Sequence, residues 1–90
     1  MKSVRLIISG LVQGVGFRSW LKHHADQLKL TGWGKNRPDG TVEAVIIGAE
    51  TAFNGIISIC REGPPGAIVR AVKIDELQNS EVFSDFTIVN

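Results

Sequence analysis

The sequence predicts an α+β fold in which two helices pack on one face of an antiparallel four- to five-stranded sheet, the split βαβ or ferredoxin-like sandwich. Three observations predict it. Alternating and helically spaced apolar patterns follow one another as strand, helix, strand, strand, helix, strand and a short last strand. The strongest turn signals, at residues 10–16, 37–40 and 63–66, fall between those patterns. The 90 residues suffice for one modest core, so residues 1–90 read as a single domain.

Residues 3–9 form the first strand, because Val4, Leu6 and Ile8 alternate with Arg5, Ile7 and Ser9. Ile7 makes the second face partly apolar, which suits a central place in the sheet. Residues 10–16 carry three glycines and read as a tight loop. Residues 17–28 form a helix with Phe17, Leu21, Ala25 and Leu28 on one face. Lys22, His23, Asp26 and Gln27 lie off that face. Residues 31–36 and 41–48 are strands joined by Arg37-Pro38-Asp39-Gly40, where proline presets φ and Gly40 can take a positive one. In the later strand Val42, Ala44 and Ile46 share a face. Residues 50–62 form the second helix, with Ala52, Phe53, Ile56, Ile57 and Cys60 on one stripe and Glu50 favoured by the dipole in the first turn. Gly63-Pro64-Pro65-Gly66 ends it. Residues 68–77 are a strand, with Val72 and Ile74 on one face and Lys73 and Asp75 on the other. Residues 78–84 read as a polar loop, and Phe86 and Ile88 alternate with Thr87 and Val89 in the last strand.

Composition excludes several classes of function. Apolar residues at 43% against 21% charged residues give an ordinary globular balance, which argues against disorder. Net charge is +1 with no basic run, so nucleic acid is not an expected partner. A local site for a small anion remains possible. No apolar run approaches the roughly 20 residues that cross a bilayer, and Arg5 interrupts any signal-peptide core, so no membrane partner is expected. The single cysteine, Cys60, excludes an internal disulfide and suits a reducing compartment. A soluble, cytoplasmic monomer is the expectation.

Chemistry concentrates in Ile8-Ser9-Gly10-Leu11-Val12-Gln13-Gly14-Val15-Gly16-Phe17-Arg18, where a strand turns through glycines into a helix. The first amides of a helix lack intrahelical partners, and the dipole places partial positive charge there. Loop amides can converge with them on an anion, and Arg18 can add a planar fork of donors. No Gly-Lys-Ser/Thr follows, and Ser19 stands where a dinucleotide fingerprint needs its third glycine. These residues alone leave two readings open: a phosphate site, or only a tight turn.

The segment from Gly10 through Val12-Gln13-Gly14-Val15-Gly16-Phe17-Arg18 resembles the signature of acylphosphatases. Leu30-Thr31-Gly32-Trp33-Gly34-Lys35-Asn36, with Pro38-Asp39-Gly40 and Val42-Glu43, is similar to that family's second segment. Gly63-Pro64-Pro65-Gly66-Ala67 and Val69 resemble its connection into the fourth strand. The resemblance implies hydrolysis of acyl phosphates to a carboxylate and inorganic phosphate, without metal or other cofactor. It implies that Arg18 grips the phosphoryl group and Asn36 positions the attacking water. It also implies that the backbone amides of Gln13, Gly14, Val15, Gly16, Phe17 and Arg18 cradle the phosphate, or a sulfate in its place.

The sequence departs from the family's pattern at Gly34, Ser19 and Arg37. Gly34 weakens a strand interior, Ser19 replaces a bulkier residue, and Arg37 adds a charge beside Asn36. His23 and His24 point about 100° apart on a helix and make a poor chelating pair, so a surface place is expected. Cys60 reads as a buried, inert thiol, and Trp20 and Trp33 as packing residues. Three alternatives remain. An RNA-binding module of this fold needs aromatics on its central strands, and the first and fourth strands contain none. A domain of a carbamoyl-phosphate-processing protein of hydrogenase maturation would keep the phosphate site, and a free-standing enzyme is preferred over it. A catalytically silent anion-binding domain would bind without turnover.

Overall fold

In the computed structural model, which describes residues 1–78 and 81–90, the alternating segments build a five-stranded sheet with two helices on one face. In chain order the elements are β1 (Lys2–Leu11), α1 (Phe17–Gln27), β2 (Thr31–Asn36), β3 (Val42–Gly48), α2 (Phe53–Glu62), β4 (Ile68–Glu76) and β5 (Phe86–Val89). A one-turn 3-10 helix, Glu50–Ala52, leads into α2, so the second helix begins tighter than its periodicity suggested.

Across the sheet the strands run β4-β1-β3-β2-β5. β1 is internal, as Ile7 suggested, and pairs antiparallel with β3 and β4. Val4, Leu6 and Ile8 of β1 and Val42, Ala44 and Ile46 of β3 are buried beneath the helices. Phe17, Leu21 and Ala25 of α1 and Phe53, Ile56 and Cys60 of α2 close over them in one apolar cluster. Burying such side chains is the main stabilising term, at about 1.5–3 kcal/mol for each large aliphatic or aromatic group.

The structure departs from the sequence reading in two places. First, β5 runs parallel to β2, so the sheet is mixed rather than wholly antiparallel. The reason is where the chain crosses. Leu77 N–H donates to the Ser3 carbonyl at 2.8 Å, and Gly32 N–H to the Asp85 carbonyl at 3.0 Å. Leu77 and Asp85 therefore both lie at the end of the sheet where β1 and β2 begin, and β5 starts beside the start of β2. Second, β1 continues to Leu11 through a bulge at Ser9/Gly10, which shortens the loop expected at 10–16. Ile74 shares the helix-covered face with Val72, as the alternation predicts, and stays 39% exposed because β4 lies at the sheet edge. The turn after α1 places Lys29 in the left-handed region, at φ 58°. The loop expected at 78–84 contains residues 79 and 80, which lie outside the described residues; Gln78 and residues 81–84 are neither helix nor strand.

Candidate active site

Gly10 is the first residue whose chemistry shapes the site. Its φ is 128°, and a Cβ there would overlap the Ile68 carbonyl oxygen of β4. Only glycine lets β1 and β4 approach so closely at the bulge. Beyond it, Val12 is buried and plugs the core beneath the loop. Gly14 and Gly16 both take left-handed φ, 76° and 75°, a backbone region that glycine enters without a Cβ penalty.

Gly16 is the N-cap of α1 and supplies no side-chain cap. The helix's first hydrogen bond runs from Trp20 N–H to the Gly16 carbonyl at 3.0 Å. The amides of Phe17, Arg18 and Ser19 precede it and have no intrahelical acceptor. No acidic residue stands in the first turn, so the dipole's positive end is not offset by a carboxylate of the helix.

Alternation along β2 decides where Asn36 points. Gly32, Gly34 and Asn36 share one face, and Asn36 pairs with Val42, whose side chain enters the core below the helices. Asn36 thus lies on the side of the sheet from which α1 starts. Arg18, Asn36, Val12, Gly14, Gly16, Phe17, Ser19 and Ile88 line one cavity of about 110 Å³. Of the six residues expected to cradle phosphate, Gly14, Gly16, Phe17 and Arg18 line it; Val15 packs partly buried against the core, and Gln13 lies at the loop's entry. Two larger hollows, of about 360 and 340 Å³, lie at the other end of the sheet around Met1, Ser3 and Leu77. Neither is lined by the glycine loop, the start of α1 or Asn36, which border the smaller cavity instead.

The Arg18 guanidinium is held from the chain's far end. Its Nη1 donates to the Val89 carbonyl at 3.1 Å and to Asn90 Oδ1 at 3.2 Å. Lys22 Nζ donates to the Phe86 carbonyl at 2.7 Å and ties the next turn of α1 to β5. Gly34 lies beneath this arrangement. A Cβ there would sit 3.5 Å from the Phe86 ring and 3.9 Å from Arg18 Cγ, so ring and stem pass above a bare backbone.

Two connections escaped the sequence reading. One is the hold of Val89 and Asn90 on Arg18. The other is the Gln13 side chain, whose Nε2 donates to the carbonyls of Arg37 at 2.7 Å and Thr41 at 2.9 Å. Both join segments far apart in sequence, and no local spacing signals them.

The remaining candidates fall outside the cavity. Arg37 forms an ion pair with Asp39 at 3.5 Å. The Thr41 hydroxyl and amide hold the Asp39 carboxyl below its ordinary pKa. His23 is exposed, and the His24 ring meets Trp20 edge-on at 4.7 Å. Among the described residues no three His, Cys, Asp or Glu side chains gather as metal ligands would. Cys60 is buried, and desolvation pushes its thiol up to about 12, the state of an inert thiol. Among the described residues no helix is long and apolar enough to cross a membrane.

The comparisons with known proteins agree with one another. A family model, Acylphosphatase, matches residues 4–88. A curated acylphosphatase of Caldivirga maquilingensis is 44% identical over 86 residues, covering 94% of this chain and 90% of the relative. The crystal structure of acylphosphatase from Bacillus subtilis superposes with a TM-score of 0.96 at 39% identity, covering 100% of both chains. Full-length HypF in its phosphate- and nucleotide-bound form superposes with a TM-score of 0.84 at 30% identity, where 99% of this chain matches 12% of that one.

Proposed function

This chain belongs to the acylphosphatase family and is a hydrolase acting on acyl phosphates, and from that premise we propose how its residues carry the reaction. The phosphoryl oxygens bind the backbone amides of residues 13–18 and the Arg18 guanidinium, and Asn36 orients the attacking water. The observation that carries this reading is that Arg18 and Asn36, from different elements, line one cavity with Gly14, Gly16 and the start of α1.

Water attacks phosphorus in line with the acyl oxygen. The P–O bond to that oxygen breaks, and its electron pair leaves on the carboxylate. A carboxylate's conjugate acid has a pKa of about 4, so the leaving group needs no proton and the site needs no general acid. The transition state is loose, with charge spread on the equatorial oxygens. Fixed amides and a guanidinium stabilise that charge without reorganising. The Asn36 carboxamide is not basic enough to take a proton. It holds the water's oxygen in position, which is an entropic contribution. The water's proton passes to a phosphate oxygen and yields inorganic phosphate.

Nothing in this scheme calls for a metal ion, since the leaving group is already stable as an anion. The chain's likeness to 12% of HypF, a protein crystallised with phosphate, makes inorganic phosphate the first ligand to try. One contiguous core supports reading residues 1–90 as a single domain, and the free thiol of Cys60 suits a reducing, cytoplasmic compartment.

Hydrolysis of an aryl acyl phosphate, followed by loss of its ultraviolet absorbance, tests the scheme. Turnover should be unchanged by a chelator and competitively inhibited by phosphate. Arg18→Ala and Asn36→Ala should each reduce turnover by roughly 10² or more with the fold intact. Near-parent turnover in either folded variant removes the role given to that residue.

A further inference from the structure

We propose that Gln13 is a positioning residue whose side-chain amide clasps the amide loop to the β2–β3 turn and so fixes Asn36 against the phosphoryl site. The inference rests on the water-orienting role given to Asn36.

Gln13 Nε2 carries two hydrogens, and the geometry uses both: one toward the Arg37 carbonyl at 2.7 Å, the other toward the Thr41 carbonyl at 2.9 Å. Both acceptors already close the turn. Arg37 N–H donates to the Thr41 carbonyl at 2.9 Å, and Gly40 N–H to the Arg37 carbonyl at 3.1 Å. Asp39 Oδ1 accepts from Thr41 N–H at 3.0 Å and from Thr41 Oγ1 at 2.6 Å. The turn is thus complete by its own bonds. Gln13 takes second lone pairs on two carbonyl oxygens and adds the link between turn and loop.

That link spans the two halves of the site. One end is Arg37, covalently next to Asn36. The other end is residue 13, directly before the left-handed Gly14 and Gly16. Val12 and Val15 anchor the loop to the core, while Gly14 and Gly16 leave the backbone around them many accessible conformations. In-line attack tolerates little error, since a displacement of about 1 Å can cost up to about 10² in rate. A bidentate side chain between loop and turn removes that freedom where phosphorus and water must align.

The test compares Gln13→Met, which keeps length but has no donor, with Gln13→Ala, each alone and Gln13→Met also in an Asn36→Ala background. Both single variants should keep the parent's unfolding midpoint within a few degrees. Each should lose about tenfold in kcat, a fraction of the misalignment limit. KM and inhibition by inorganic phosphate should change less than about twofold, because Arg18 and the helix-end amides still bind the anion. Gln13→Met should remove little more once Asn36 is alanine, the non-additivity expected of groups acting as one unit. Parent-level kcat, full additivity with Asn36→Ala, or failure of both single variants to fold would each overturn the proposal. Unimpaired turnover in Asn36→Ala would instead strike the reading beneath it. An impaired Asn36→Ala beside an unimpaired Gln13→Met would remove the clasp alone.

Discussion

Arg18 shows how much one side chain depends on its surroundings. Its stem crosses Gly34, and its guanidinium meets Val89 and Asn90. The family resemblance marked Gly34 as a weakness in a strand interior, yet the bare backbone leaves room for the Phe86 ring. The same space admits a methyl group, since a Cβ at Gly34 would make ordinary van der Waals contacts and its φ is not positive. Gly34→Ala should therefore stabilise the fold by about 0.4–1 kcal/mol, chiefly by restricting the unfolded chain. A rise in urea midpoint with turnover within twofold of the parent is the expected result. Arg37 illustrates the opposite outcome: its charge beside Asn36 is engaged by Asp39 on the turn.

At the scale of elements, the strand-loop-helix unit brings Gly14, Gly16, Phe17 and Arg18 to the cavity, and two of its glycines do different work. At Gly10 the obstacle is steric, because a Cβ meets backbone atoms of Ile68 and Arg70 that cannot give way. Gly10→Ala should part β1 from β4 and cost about 2–3 kcal/mol, at the upper end of common single-residue effects. At Gly16 a Cβ meets nothing within 4 Å, and only the left-handed φ opposes it. Gly16→Ala should cost about 1–2 kcal/mol in stability. It should also lower kcat through the tilt it gives the start of α1. Denaturation midpoints and kcat measured on both variants separate clash from strain. A larger stability loss in Gly16→Ala than in Gly10→Ala would contradict this assignment.

For the whole molecule, the core beneath both helices is one contiguous cluster, and Cys60 lies within it. Its thiol should resist a disulfide reagent in the folded state and react at the rate of unfolding. Burial raises the folded pKa from 9.0 to about 12, so the folded state retains a proton that the unfolded state releases. Stability attributable to this group is full below pH 9 and declines as pH rises toward 12. The slope is at most about 1.4 kcal/mol per pH unit. Cys60→Ala should flatten that part of the stability curve, measured by denaturant titration between pH 8 and pH 11. An unchanged slope would place the alkaline sensitivity elsewhere.

Periodicity and turn chemistry were enough to place nearly every strand and helix, since each pattern records which face is wet and which angles the backbone must take. The residues of the glycine loop, Arg18 and Asn36 were likewise visible, because motif and resemblance are local properties of the chain. Three relations required the fold: β5 beside β2 in parallel, the far end of the chain against Arg18, and the Gln13 amide across to the β2–β3 turn. Each depends on which sheet edge is free and where a connection crosses, and those are set by packing between segments far apart in sequence. Local patterns carry no record of that choice. Tertiary structure alone decided that Arg18 and Asn36 border the same cavity.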